Sequence, residues 1–584
     1  MSKKFLLSIA AICLSLATLT DILAGGENVP ARSKRGVKKL NIKVLPWGPT
    51  QTDVDAATQR TTSSEAVRRE LSGAKFRQVG FEYIYDTAES KNQASRPPTR
   101  FRVIYYNYSN DMTLFAEGDF AAKEFAAKET ISTRWVSAVP GVGDEEIKAA
   151  YKIVEQDPAY TKQKLANTIE FYEAMPPTTI VDGERLVNIG VRDPQTGDNE
   201  IVGVSFKNDK LVHYANNAPP TSAASPDACG IANSFQGSTG QGVAGQSTLT
   251  VNEIGSGNPL WEMLIVRPSA SSGANFERSG LEIRDVKYRG KSVLKRGHVP
   301  LLNVQYVNSC GPFRDWQYSE GFFNAPATGA TDPAPGIRIL AAGQVATTAV
   351  ESHNDTGDFQ GVAVYTQDVG FGTEVVLVTE MNAGWYRYSM EWRFAQDGTI
   401  RPRYGFGSVT DSCVCIQRTH HVYWRFDFDI VNASNRIYQL DRGRKFLQTI
   451  DTETSVFRNK QKSRSFLIQN NSGDEAYQLV PGTNDGTVLN ANGDLVDTFG
   501  GGDTWFMKFT GTAAAPGELD DPGSTAAANL SPWINGESLL GQDVVVWYAA
   551  HQVRSDDTSR NQSAAPQVLN GVHVVGPTLR PVRW

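Results

Sequence analysis

A basic surplus is missing from this chain. Among its 584 residues, 57 Lys and Arg face 63 Asp and Glu, a net charge of -6. With no excess cation to neutralise phosphates, nucleic acid is excluded as a principal partner. Long hydrophobic runs are also missing, apart from Phe5 to about Leu19. That run follows Lys3 and Lys4 and leads into Ala24-Gly25-Gly26, the form of a secretory signal peptide. It predicts a leader at 1–24, a secreted or periplasmic protein, and no membrane span in the mature chain. Cysteine is scarce at five, and four remain once Cys13 leaves: Cys229, Cys310, Cys413 and Cys415. An even number permits up to two disulfides in an oxidising compartment. Cys413 and Cys415, two apart on an expected strand, would bridge each other poorly, and pairing with Cys310 or Cys229 is open.

Helix signals run out after the first third of the chain. Before that, strands are expected at Phe76–Tyr85, Arg100–Tyr106 and Thr113–Phe120, with a helix at Ser64–Leu71. Helices follow at Asp144–Glu155, which opens with acidic residues, and at Ala159–Ala174. Strands at Thr178–Ile180, Arg185–Val191, Glu200–Phe206 and Leu211–Tyr214 complete a second unit. These are two small α+β domains, 25–140 and 141–220, and neither carries a convincing catalytic cluster. A Pro, Ser, Ala and Gly-rich stretch marks a linker at 221–245. From 246 to 584 short alternating strands prevail, which predicts a mainly β chain dominated by one large β-sandwich.

What is present in abundance is aromatic side chains, 10% of the chain. They concentrate between Trp385 and Ile430. Tyr386 to Phe394 alternates aromatic and polar residues, and Gln396-Asp397-Gly398-Thr399 is a turn signal, so this reads as a hairpin. The strand around Arg418–Ile430 puts His420, Val422 and Trp424 on one face and His421, Tyr423 and Arg425 on the other. A tyrosine and a histidine pair held on neighbouring strands is the layout of a redox or metal site.

These segments, in their order along the chain, resemble those of the copper amine oxidase family. Leu281–Arg296 is similar to the entry of that family's catalytic domain, and Val304-Gln305-Tyr306 to its Val-Pro-Tyr segment. Trp385-Tyr386-Arg387-Tyr388, then Glu391-Trp392 and Gln396 to Ile400, resembles the segment bearing the cofactor tyrosine. His420 followed by Arg425 to Asp429 resembles the copper-ligand strand, and Asp543 to Tyr548 followed by His551 to Asp557 the last ligand. The small domains fit the family's own in outline.

The resemblance implies a homodimer that oxidises small primary amines with dioxygen to aldehyde, ammonia and hydrogen peroxide. It implies copper, and topaquinone made from Tyr386, whose carbonyl forms a Schiff base with the amine. By position, Tyr306 would hydrogen-bond the quinone, and His420 and His551 would be copper ligands. His421 is a further candidate if a bulge turns it, because Arg418 stands where the family has its first histidine. Glu320 is the leading candidate for the general base, with Asp315 and Gln317 as alternatives. Trp385 and Arg387 replace the Asn and acid that flank the family's quinone. Asp427, Asp429 and Asp543, with the carbonyls of Phe428 and Val544, resemble a peripheral site for calcium or manganese. Two readings follow: an amine oxidase with an altered copper shell, or a non-catalytic relative that serves as a binding or structural protein.

Overall fold

In the computed structural model the described residues are 39–584, except 86–94, 122–130, 194, 196–198, 215–229, 232–241, 272–277, 308–309, 371, 410, 412, 444–445, 489–501, 510–529, 531–532 and 555–573. The expected leader, most of the expected linker, Cys229 and Asp556-Asp557 lie outside them. No helix among the described residues is long and apolar enough to cross a membrane.

The chain is mainly β, as expected. One large sheet runs, neighbour by neighbour, through Leu40–Pro46, Gln246–Glu253, Pro259–Val266, Glu282–Tyr288, Lys291–Tyr306, Arg418–Phe428, Val544–Arg554, Thr504–Lys508 and Thr454–Val456. The second runs through Ile337–Ile339, Val362–Asp368, Thr373–Ala383, Tyr386–Ala395, Ile400–Ser408, Thr578–Arg583, Ala476–Val480, Ser465–Asn470, Asn435–Asp441 and Phe446–Ile450. Their facing sides bury one continuous apolar core that includes Trp261, Trp392, Trp424 and Phe426. Both sheets are antiparallel apart from the short parallel pairing of Ile337–Ile339 with Val362–Asp368.

Each small unit has a four-stranded sheet. In the first, helices Gln51–Ser63 and Glu65–Glu70 cover Phe76–Ile84, Arg100–Asn107, Met112–Asp119 and Ser132–Val136. The second carries helix Asp144–Gln156 against Glu184–Arg192. That helix is anchored by the fully buried pair Glu146 and Arg185, with the Tyr108 hydroxyl donating to the same carboxylate at 2.5 Å.

Three expectations change. The helix expected over Ala159–Ala174 spans only Pro158–Leu165, and Glu170–Val181 is a strand. Asn167 takes φ +53 just beyond the helix, a left-handed conformation that stops it, and the residues after it find strand partners in Glu184–Arg192. Helix Gln51–Ser63 was not expected, although Thr50 and Asp53 form a capping box at its start. Cys413 and Cys415 sit in a short 3-10 turn rather than on a strand, and Cys413 is bonded to Cys310.

Candidate active site

The strand Tyr386–Ala395 leaves a tight turn at Gly384, whose φ of +56 suits glycine. A methyl group there would also strike the side chain of Met175. From this turn the alternation sends Tyr386 and Tyr388 into the space between the sheets, both fully buried. Arg387 points the other way, into a buried ion pair with Asp355 at 2.7 and 3.1 Å.

From the opposite sheet come Tyr306, at the end of Lys291–Tyr306, and Arg418 beside it in register. The hydroxyls of Tyr306 and Tyr386 are hydrogen-bonded to each other, and Trp385 Nε1 donates to Tyr306 Oη at 3.2 Å. The His420 ring stands edge-on to Tyr386, centroids 4.9 Å apart, and stacks on Phe406 at 4.5 Å. The Arg418 guanidinium lies 5.7 Å from the centre of the Tyr386 ring, with Nη1 donating to the carbonyls of Val414 and Ile416. Burial pushes the Tyr386 phenol up to about 12 despite the pull of Arg418. Burial, then the neighbouring phenol, pushes Tyr306 well above the ordinary tyrosine value.

The three candidate bases have different surroundings. Glu320 is fully buried and saturated: Arg267 Nε reaches it at 2.9 and 3.0 Å, and Ser269 gives a backbone N–H and a hydroxyl at 3.0 and 2.8 Å. A carboxylate so held is an anchor with no oxygen to spare for a substrate proton. Gln317 is equally committed, donating to Val299 O at 2.7 Å and accepting from Tyr404 at 3.0 Å. Asp315 is different. One oxygen accepts from the Tyr388 hydroxyl, whose oxygen lies 3.5 Å from His420 Nδ1, and the other meets no donor among the described residues. Burial raises its pKa to about 7, against the opposing Tyr388 hydrogen bond.

This shift has a measurable consequence. Asp315 is neutral in both folded and unfolded chains below its ordinary value of 3.8. Between there and about 7 the unfolded chain ionises first, so its contribution to stability falls as pH rises. Above about 7 the full penalty applies, roughly 4 kcal/mol for a shift of about three units. Asp315→Asn should therefore gain stability over the wild type on going from pH 5 to pH 8, read as the difference between their unfolding midpoints.

The other two candidate ligands, His421 and His551, are elsewhere. Arg418–Phe428 pairs with Val544–Arg554 without a register shift, and His421 stands directly opposite His551. Their Nδ1 atoms are 2.7 Å apart, and His551 Nε2 is 3.2 Å from Asp503. Tyr423, on the same face as His421, packs edge-on to the His551 ring. This cluster belongs to the side of the sheet turned away from Tyr386. No bulge brings His421 round to Arg418's side. Asp427, Asp429 and Asp543 do converge, with one oxygen of each within 4.8 Å of the others.

The sequence reading found none of these partners: Asp355 for Arg387, Arg267 for Glu320, or Asp503 for His551.

No known family profile matches the chain, and neither does any curated protein. Solved structures do. A copper-containing benzylamine oxidase from Hansenula polymorpha superposes with a TM-score of 0.58 at 13% identity, covering 92% of this chain and 97% of that one. An amine oxidase from Aspergillus nidulans gives 0.53 at 14% identity, covering 92% and 88%. A lysyl oxidase from Pichia pastoris gives 0.53 at 12%, covering 94% and 91%. The fold is that of the copper amine oxidases.

On this copper amine oxidase fold the donors beside Tyr386 can be tested against copper. Copper favours several imidazoles converging on one point. Among the described residues His420 is the one imidazole on the Tyr386 face, next to an arginine that stays protonated and carries no lone pair to give. His421 and His551 are behind the strand. The described residues do not form a three-histidine copper centre at Tyr386. The three aspartates, as hard oxygen donors, do fit a calcium or manganese ion.

Proposed function

We propose that this chain keeps the amine oxidase fold without its copper–quinone centre and works as a binding protein. One observation carries the reading: His420 and His551 lie on opposite faces of the same sheet, so the imidazoles cannot gather round Tyr386. Arg418 over the Tyr386 ring, and Glu320 held by Arg267, support it. Export, from the pattern at 1–24, and a homodimer, by analogy with the fold's oxidases, belong to the same proposal.

The alternative is a primary-amine oxidase, releasing aldehyde, ammonia and hydrogen peroxide. The phenol contact between Tyr306 and Tyr386 favours it, as does Asp315, a buried carboxyl with one oxygen that meets no donor among the described residues. Titrating the purified, copper-treated protein with phenylhydrazine separates the two. The binding-protein reading expects no visible quinone-adduct band and little copper retained after dialysis. A stoichiometric band that disappears in Tyr386→Phe would establish the oxidase instead.

A further inference from the structure

The space between the two large sheets holds a file of oxidisable rings. Trp385, Tyr386, Tyr388, Tyr404, Trp424 and Tyr548 follow one another with successive centroids 5.4 to 6.3 Å apart, all buried. Packing alone accounts for aromatic neighbours in a core. What differs along the file is where each phenol proton can go. Loss of one electron makes a phenol strongly acidic, so its proton leaves for whatever base is already hydrogen-bonded to it. In a buried place that base must be a side chain.

The partners sort the rings. Tyr386 is paired with the phenol of Tyr306 and Tyr404 with the amide oxygen of Gln317, and neither group takes up a proton near neutral pH. Tyr548 donates to Asp485, whose two oxygens are already engaged by the N–H groups of Gly482 and Gly576. Tyr388 donates to a carboxylate with an oxygen to spare. Asp315 accepts from it on one oxygen, and the other meets no donor among the described residues. Burial raises the Asp315 pKa to about 7, so at pH 8 it is ionised and a stronger base than an ordinary carboxylate. A second acceptor, His420 Nδ1, stands off at 3.5 Å. The file also has an entrance. Tyr306 keeps 7% of its surface exposed and is followed by the exposed Val307.

We propose that Tyr388 and Asp315 form a redox site that stores one oxidising equivalent as a buried tyrosyl radical. The co-reactant is a one-electron oxidant, such as a high-potential metal complex, arriving at Tyr306. It is reduced by one electron drawn from Tyr388 through the Tyr306 and Tyr386 rings. The O–H bond of Tyr388 breaks, and its proton forms a bond to the Asp315 carboxylate. A neutral phenoxyl and a neutral carboxylic acid remain, so no charge is stranded in the core and the state persists. The site goes beyond the binding-protein reading and does not depend on it, because neither copper nor a quinone takes part.

The test illuminates the full chain at pH 8 with tris(bipyridine)ruthenium(II) and a cobalt(III) pentaammine as terminal electron acceptor, so that ruthenium(III) is the oxidant. Samples are aged until exposed phenoxyls have coupled, then frozen and read by electron paramagnetic resonance. The expected result is a persistent tyrosyl spectrum that narrows when the protein carries ring-deuterated tyrosine. Tyr388→Phe should lower its intensity at least tenfold, and Asp315→Asn should shorten its lifetime at least tenfold, with unfolding midpoints confirming that both variants fold. No persistent signal in the wild type would overturn the proposal. So would an undiminished signal in folded Tyr388→Phe, or an equal lifetime in Asp315→Asn. A signal lost in Tyr386→Phe but kept in Tyr388→Phe would also overturn it, placing the radical at position 386 and returning weight to the oxidase reading.

Discussion

Glu320→Ala should lower the stability of the fold by about 3–5 kcal/mol, seen as a fall in the denaturant midpoint. The cause is the cation left behind. Arg267 is almost fully buried and spends its guanidinium on Glu320, packed so closely over Gly336 that a side chain there would collide with it. Without the carboxylate, that charge has no counter-ion in a poorly solvated place. Glu320→Gln preserves the shape and two acceptor–donor contacts with Ser269, yet removes the charge, so it should cost nearly as much. Replacing both partners together, Arg267→Met with Glu320→Met, should recover most of the loss, because a buried pair is worth less than either half is costly alone. A general base behaves differently: its amide variant folds as well as the parent and loses only turnover.

Breaking the Cys310–Cys413 disulfide should have an effect of similar size. The bond closes a loop of sequence separation 103, and a cross-link of that span restricts the unfolded chain by about 4 kcal/mol or slightly more. Cys310→Ala with Cys413→Ala should show that loss in urea unfolding. Both sulfur-bearing residues are buried, so reductant should act slowly on the folded protein. The bond also pins the stretch after Tyr306 to the turn that precedes Arg418, which holds that arginine's carbonyl acceptors, Val414 and Ile416, in place. The double variant should therefore disturb the environment of Tyr386 even where it stays folded.

The large sheets were legible in the sequence because strand periodicity is local, and so was the parting of His420 from His421, two successive residues on one strand. The face on which His551 lies was not legible. It depends on how Val544–Arg554 is registered against Arg418–Phe428, and a slip of one residue would move His551 to the other side. Nothing near His551 in the chain encodes that register. The choice among Glu320, Asp315 and Gln317 was not legible for a related reason. Their roles are set by Arg267, Tyr388 and Tyr404, which approach from 53, 73 and 87 residues away. The helix expected to continue through Ala174 failed because strand pairing with Glu184–Arg192 outweighed a weak local preference.

The first strand of the large sheet has a topological consequence. Leu40–Pro46 runs antiparallel to Gln246–Glu253, Pro46 faces Ser247, and the Trp47 N–H donates to Gln246 O at 2.9 Å. The chain therefore departs and returns at the same rung of one β-hairpin, and both small domains stand where its turn would be. Closing so long an excursion costs little more than closing a short one, since the entropy grows only with the logarithm of length. Residues 47–245 are in this sense a removable turn. Exchanged for a two-residue loop they would leave the ladder whole, whereas a chain begun at Gln246 would present a bare sheet edge to its neighbours.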